Sequence, residues 1–189
     1  EPYRRQRQMC IRDRVEVYMN TRSYDAALKS IDRIAKPSAQ ILEAKQKILF
    51  QLGTQSFANA DFEQALKYLN QSIAIGQYNR QTKADALYWR GEAYYRLNRM
   101  EEAKRNFTDY LQLTQQTHNE MYALAHYNLG YIAFHQKDYT QAQNWFRKYI
   151  SLEKGENKTA LADAYNRIGD CYLDVRNFDA VSYTHLRAH

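Results

Sequence analysis

"LYWRGEAYYRLNRMEEAKRNF", residues Leu87 to Phe107, decides how the chain must be read. Apolar and aromatic side chains recur through it at three- and four-residue spacing. Tyr88, Tyr94 and Tyr95 precede the polar "LNR", and Met100, Ala103 and Phe107 follow it, with Tyr110 and Leu111 just beyond. That is helical periodicity interrupted by one short turn, so the stretch predicts two antiparallel helices joined as a hairpin. The hairpin recurs. "LGTQSFANADFEQAL" (Leu52 to Leu66), "LGYIAFHQKDYTQAQ" (Leu129 to Gln143) and "IGDCYLDVRNFDA" (Ile168 to Ala180) repeat its order of glycine, aromatic or apolar residues, polar turn and aromatic residue. Gly53, Gly91, Gly130 and Gly169 are separated by 38, 39 and 39 residues. Ala65, Ala103 and Ala142 each follow their glycine by 12, and Ala27 precedes Ala65 by 38.

One such hairpin cannot bury its own apolar face, so neighbouring copies must stack. Glycine and alanine fall where two helix axes approach closely, because a larger side chain would hold them apart. Phe107, Phe146, Tyr110 and Tyr149 fill the layer beside them. The expected fold is all-α, an antiparallel helix-hairpin solenoid.

"LYWRGEAYY", "MEEAKRNF" and "AYNRIGDCY" resemble the signature of the tetratricopeptide repeat family: an aromatic residue or Leu, Leu-Gly, then Tyr in a first helix, and Ala, Phe, Ala in a second. The resemblance covers roughly Val15 to Ala180. It implies a superhelix with a partial unit over 15–41, full units over about 46–79, 84–117 and 123–156, and a partial unit over 162–180. The consensus helix-terminating Pro is absent, and each unit exceeds the usual 34 residues by about four or five. The additional residues fall in the connectors "GQYNRQTKAD", "TQQTHNEMY" and "EKGENKTALAD". Connectors of that kind are similar to those of long bacterial cell-envelope repeat proteins. The resemblance thereby implies a periplasmic or envelope location, with the cytoplasm as the alternative.

It also implies a function: a scaffold that binds a protein or peptide segment in a concave groove lined by the first helix of each unit. The family's ligand positions fall here on Phe50, Thr54 and Phe57, then Tyr88, Glu92 and Tyr95, then Tyr127, Tyr131 and Phe134, and finally Asn166, Asp170 and Leu173. Aromatic side chains offer large contact area with few rotors to freeze, which suits them to anchor a partner. The Lys and Asn clamp that holds a C-terminal carboxylate in some relatives is missing, which disfavours a chaperone tail. Two alternatives stand beside the groove. The chain is a structural or self-assembling stretch of a larger solenoid, associating through uncapped repeat ends where Phe178 has lost its covering helix, or the scaffold is attached to an enzymatic or DNA-binding domain outside this sequence.

Both ends depart from the repeat. Arg4 to Asp13, "RRQRQMCIRD", and Val181 to His189, "VSYTHLRAH", match in-frame translations of the two opposite adapters of a transposon-based sequencing library, each including the mosaic end. The expectation is that residues 1–14 and 181–189 are non-native. The net charge of +6 then shrinks, because these ends hold six Arg against Glu1 and Asp13, leaving 21 basic and 19 acidic residues between them, a charge of +2. Nucleic-acid binding through the basic head is not expected on that reading.

The chemistry-bearing residues are sparse. Setting aside Cys10 in the head, Cys171 is alone and reads as an apolar filler on a buried helix face, without a disulfide or zinc partner. His118, His126 and His135 are not spaced three or four apart, as a helical metal pair would require, and read as solvated or groove-lining. There is no phosphate-binding Gly-rich loop and no run of about 20 apolar residues to cross a membrane. "NQS", "NFT" and "NKT" match the glycosylation sequon by chance. No catalysis, metal or cofactor is expected.

Overall fold

The computed structural model describes residues 23–187, with side chains placed through Arg176. Among these residues every regular element is a helix: α1 (Tyr24–Asp32), α2 (Ala39–Ala58), α3 (Phe62–Ile75), α4 (Arg80–Arg96), α5 (Met100–Thr114), α6 (Tyr122–His135), α7 (Tyr139–Leu152) and α8 (Lys158–Arg187). The basic head, the first residues (15–22) of the partial unit expected over 15–41, the Phe178 side chain and Ala188 to His189 lie outside what is described. The chain divides into two compact units, 1–106 and 107–189, and the division falls inside α5.

The hairpin turns are built three times from the same backbone geometry. After α2, Ala60 N–H donates to Phe57 O at 2.9 Å and Asp61 N–H to Ser56 O at 2.9 Å. After α4, Asn98 and Arg99 N–H donate to Tyr95 O and Tyr94 O at 3.0 and 2.8 Å. After α6, Lys137 and Asp138 N–H donate to Phe134 O and Ala133 O at 3.0 and 2.9 Å. This pair of bonds is the Schellman ending, which needs a left-handed residue just past the helix. Ala60, Asn98 and Lys137 supply it at φ of 60°, 59° and 60°. Asp61 and Asp138 then cap the return helices by accepting Gln64 and Gln141 N–H, each at 3.2 Å.

In the first unit, Ala27 and Ile31 of α1 pack with Ile41, Ile48 and Leu52 of α2. In the second, Ala133 of α6, Ala142, Phe146 and Tyr149 of α7, and Ala164 and Cys171 of α8 make one core. The small residues sit where close approach demands them. A Cβ on Gly53 would lie 2.7 Å from Leu69 Cγ, and one on Gly130 2.7 Å from Phe146 Cε1. Ala27, Ala65, Ala103 and Ala142 are all fully buried.

Two expectations change. In two of the three connectors the additional residues are largely helical, whereas residues 115–121 of "TQQTHNEMY" stay outside the helices: Asn79 accepts Thr82 N–H at 2.8 Å and Asn157 accepts Ala160 N–H at 3.0 Å. Those caps start α4 at Arg80 and α8 at Lys158, so "RQTKAD" and "KTALAD" lengthen first helices rather than loops. The polar turn read in "DVRNFDA" is absent, since α8 runs unbroken from Lys158 to Arg187. Arg176 holds the place of Ala60 and Lys137 yet stays helical. A Schellman turn with a non-glycine residue costs about 1 kcal/mol of backbone strain, which a packed return helix offsets in the earlier hairpins.

Candidate functional site

The first helices of successive hairpins carry the candidate positions, and each unit arranges them differently. In the second unit, Tyr127, Tyr131 and Phe134 project from α6 at helical spacing, half-buried. Tyr127 OH donates to Asp163 Oδ2 on α8 at 2.7 Å, and Tyr131 OH donates to the same oxygen. Arg167, one turn along α8, stands 3.6 Å by Nε from Asp163 Oδ1 and 2.7 Å by Nη1 from Asp170 Oδ2. Its guanidinium carbon lies 6.0 Å over the Phe134 ring. The two tyrosine rings meet edge-on at 5.1 Å, and both pack against Phe146 of the core. A carboxylate held by two phenols and a guanidinium is a fixed polar centre on an aromatic floor.

Burial, then the Asp163 carboxylate that accepts their hydrogen bonds, pushes the Tyr127 and Tyr131 phenols up from the usual tyrosine range. Both therefore remain hydrogen-bond donors throughout the neutral range.

In the first unit the matching register is filled by rings. Phe57 of α2 stands edge-on to Trp89 of α4 at 5.1 Å and to Phe62 at 5.2 Å, with the Arg96 guanidinium 6.0 Å from its centroid. Trp89 precedes Gly91 by two residues as Arg167 precedes Gly169, so an indole here and a guanidinium there face the corresponding phenylalanine. Phe50, Thr54, Glu92 and Tyr95 are half-buried, and Thr54 Oγ1 donates to Gln51 O at 3.0 Å.

Tyr88 is a correction. It is 2% exposed, edge-on to Trp89 at 5.6 Å, and its hydroxyl donates to Glu92 Oε1 at 3.0 Å. It belongs to the core because α4 turns that offset inward, so Tyr88→Ala would report on folding rather than on binding. Asn166 and Leu173 are exposed on α8, away from the Asp163 cluster, while Asp170 reaches the cluster through Arg167. Asp163, Arg167, Trp89 and Arg96 escaped the sequence reading. The signal was there for Asp163, which precedes its glycine by six residues as Asp85 precedes Gly91.

His126 is also corrected, being 4% exposed rather than solvated. Its Nδ1–H donates to Tyr122 O at 2.8 Å, and its ring lies against Tyr122 at 5.0 Å and Trp145 at 5.7 Å. Burial lowers its pKa from the ordinary histidine value, and the nearby Lys148 and His118 act the same way. The unfolded chain therefore binds a proton that the folded chain resists. Stability is complete above about pH 6.5 and should fall as pH drops below it. Urea titrations between about pH 7.5 and 5 would show a declining midpoint, and His126→Gln would flatten that decline; an equal slope in both proteins rejects the assignment.

A cavity of about 330 Å³ lies apart from the tyrosine cluster, between the segment His118 to Ala123 and the segment Leu152 to Glu156. Its Glu153 carboxylate is already engaged, accepting Glu156 N–H at 3.1 Å, Asn157 N–H at 3.3 Å and Tyr149 OH at 3.3 Å. Among the described residues no three His, Cys, Asp or Glu side chains gather to hold a metal ion, and no helix is long and apolar enough to cross a membrane.

Residues 82–154 match the family model described as tetratricopeptide repeat. No curated protein sequence matches the chain. Solved structures with the same fold include BtubC from P. vanneervenii, 16% identical, with a TM-score of 0.67 over 94% of this chain and 74% of that one. MamA is 21% identical, with a TM-score of 0.61 over 95% of this chain and 89% of that one. The nearly identical repeats of a kinesin light chain from Podosopora anserina are 14% identical, with a TM-score of 0.55 over 97% of this chain and 96% of that one.

Proposed function

We propose, for a chain that carries tetratricopeptide repeats over residues 82–154, that its first-helix face binds a segment of another protein and that the Tyr127, Tyr131 and Asp163 cluster is the anchoring point. Protein-binding scaffolding is the general role of this repeat fold. The observation that carries the finer reading is the convergence of two phenols on one Asp163 oxygen beside the half-exposed Phe134 ring. A core needs no such centre, since buried polar groups cost free energy unless fully paired. An arriving backbone finds there a carboxylate and two hydroxyls already oriented, with aromatic surface around them, so little ordering remains to be done on binding.

The test is selection of a displayed random peptide library on the purified protein. Selected peptides should bind Tyr131→Ala and Asp163→Ala at least about tenfold more weakly, the loss expected when an anchoring contact of about 1.4 kcal/mol or more is removed. Asn144→Ala, an exposed change on α7, should leave binding unchanged. Peptides that bind all three variants like the parent, with melting temperatures preserved, would dismiss this face as the binding surface.

A further inference from the structure

The polar centre between α6 and α8 has spent its donors and kept acceptors. Tyr127 and Tyr131 both give their hydroxyl protons to Asp163 Oδ2, and Arg167 Nη1 is engaged by Asp170 Oδ2 at 2.7 Å. Asp163 Oδ1 has only Arg167 Nε nearby, at 3.6 Å, which is too long for a hydrogen bond. That Nε–H is itself buried without a hydrogen-bond partner. A buried donor and a carboxylate oxygen therefore stand side by side unjoined, in a cluster otherwise fully bonded, and such a gap asks for a reason. The centre is walled by side chains of two packed helices, with Asp163 and Arg167 31% and 32% exposed, so its access does not arise from an uncovered helix.

Charge on this face has one sign. α6 carries no Lys, Arg, Asp or Glu along its length, so the charge comes from α8. At about 100° per residue, Asp163, Arg167, Asp170 and Asp174 fall within about 60° of arc, on the side that meets the α6 tyrosines. The same count turns Lys158 and Arg176 to the far side of the helix. Three carboxylates thus face one guanidinium, and that guanidinium already joins two of them.

We infer, on the reading of this face as the peptide-binding surface, that the segment it takes is positively charged and that an arginine of that segment lies against the Tyr131 and Phe134 rings and donates to Asp163 Oδ1. The open oxygens need a donor, and the excess carboxylates need a cation. The rings select among cations, because a guanidinium is planar, weakly hydrated and stacks on aromatic surface, whereas an ammonium is a compact, strongly hydrated charge. The protein already uses this pairing in each unit, with Arg167 over Phe134 and Arg96 over Phe57, both at 6.0 Å. An acidic segment would meet carboxylates with no proton to give at neutral pH, so the same groups that hold arginine turn it away.

Three displayed peptide libraries test it, alike in their random apolar and aromatic positions and differing only in fixed positions that are all Arg, all Lys or all Glu. Selected on the full 189-residue chain, the Arg library should enrich ahead of the other two. Individual Arg peptides should bind Asp163→Asn and Asp174→Lys at least about tenfold more weakly than the parent. Their affinity should also fall as salt rises from about 0.05 to 0.5 M, since the pairing charges are partly exposed. Asp174→Lys lies outside the hydrogen-bonded cluster, so its melting temperature should hold and its result stands even where Asp163→Asn loosens the fold. Equal or greater enrichment from the Lys or Glu library, or Arg peptides that bind Asp174→Lys like the parent, overturns the arginine. Lys or Glu peptides that are lost in Tyr131→Ala would do so while leaving the face in place, whereas peptides indifferent to Tyr131→Ala would dismiss the face itself.

Discussion

Phe146→Ala is expected to lower stability by about 4 kcal/mol, the largest effect of any single change in the second unit. The ring is fully buried among Ala133, Ala142, Tyr149 and Cys171, and it occupies the space opened by Gly130. Truncation therefore removes the transfer energy of an aromatic side chain and leaves a cavity that helices fixed at both ends cannot close. The companion change sharpens the point. Gly130→Ala alone forces a Cβ to within 2.7 Å of the ring and should also destabilise, although alanine is the better helix former. In a Phe146→Leu background the same Gly130→Ala should cost less. Urea unfolding of the four proteins as a double-mutant cycle reads the coupling; additive effects would mean the glycine is not there for the ring.

Gln46→Leu is the second large effect, about 2–3 kcal/mol. Gln46 is fully buried in α2, its Nε2 donating to Asn79 O at 2.8 Å and its Oε1 accepting Asn79 N–H at 3.0 Å. Asn79 in turn caps α4 and donates from Nδ2 to Glu43 Oε1 at 3.1 Å, and Ser72 Oγ donates to Gln46 O at 2.8 Å. Leucine fits the volume but leaves both backbone groups of the α3–α4 connector without their partner, and the start of α4 loses its anchor. Gln46→Glu keeps the acceptor, and in acid its protonated carboxyl can donate to Asn79 O as well, so there it should cost less than leucine does. Amide exchange at residue 79 reports the loss directly: protection that survives Gln46→Leu would show that the bond does not hold the connector.

The contrast between these two cases shows what the sequence could carry. Gly53, Gly130, Ala65 and Ala142 were legible because close helix approach is a steric demand that recurs at a fixed interval, and a repeat displays it several times. Gln46 was not, since an amide between Lys45 and Lys47 reads as a surface residue until Asn79, 33 positions on, is seen beside it. The candidate site divides the same way. Tyr127 and Tyr88 share one offset from their glycines, yet the first is half-exposed and the second buried, because ring orientation depends on the neighbouring helix rather than on position in the repeat. Asp163 acquires its meaning only from tyrosines 36 and 32 residues away. The turn missing from α8 belongs to the same class, since a hairpin ending forms only where a return helix packs well enough to offset its strain.

The fully buried Cys171 has a practical corollary for optical work on this molecule. Burial pushes its thiol up to about 11, so at neutral pH it is both shielded and almost wholly protonated, and maleimide reagents should pass it by. With Cys10 changed to serine, a cysteine placed at exposed Lys137, on the backbone-stabilised turn between α6 and α7, becomes the single address for a dye. A fluorophore there would sit a short chain distance from Phe134 and the tyrosine cluster and could signal the arrival of a peptide by its emission alone, without altering any residue proposed to touch one.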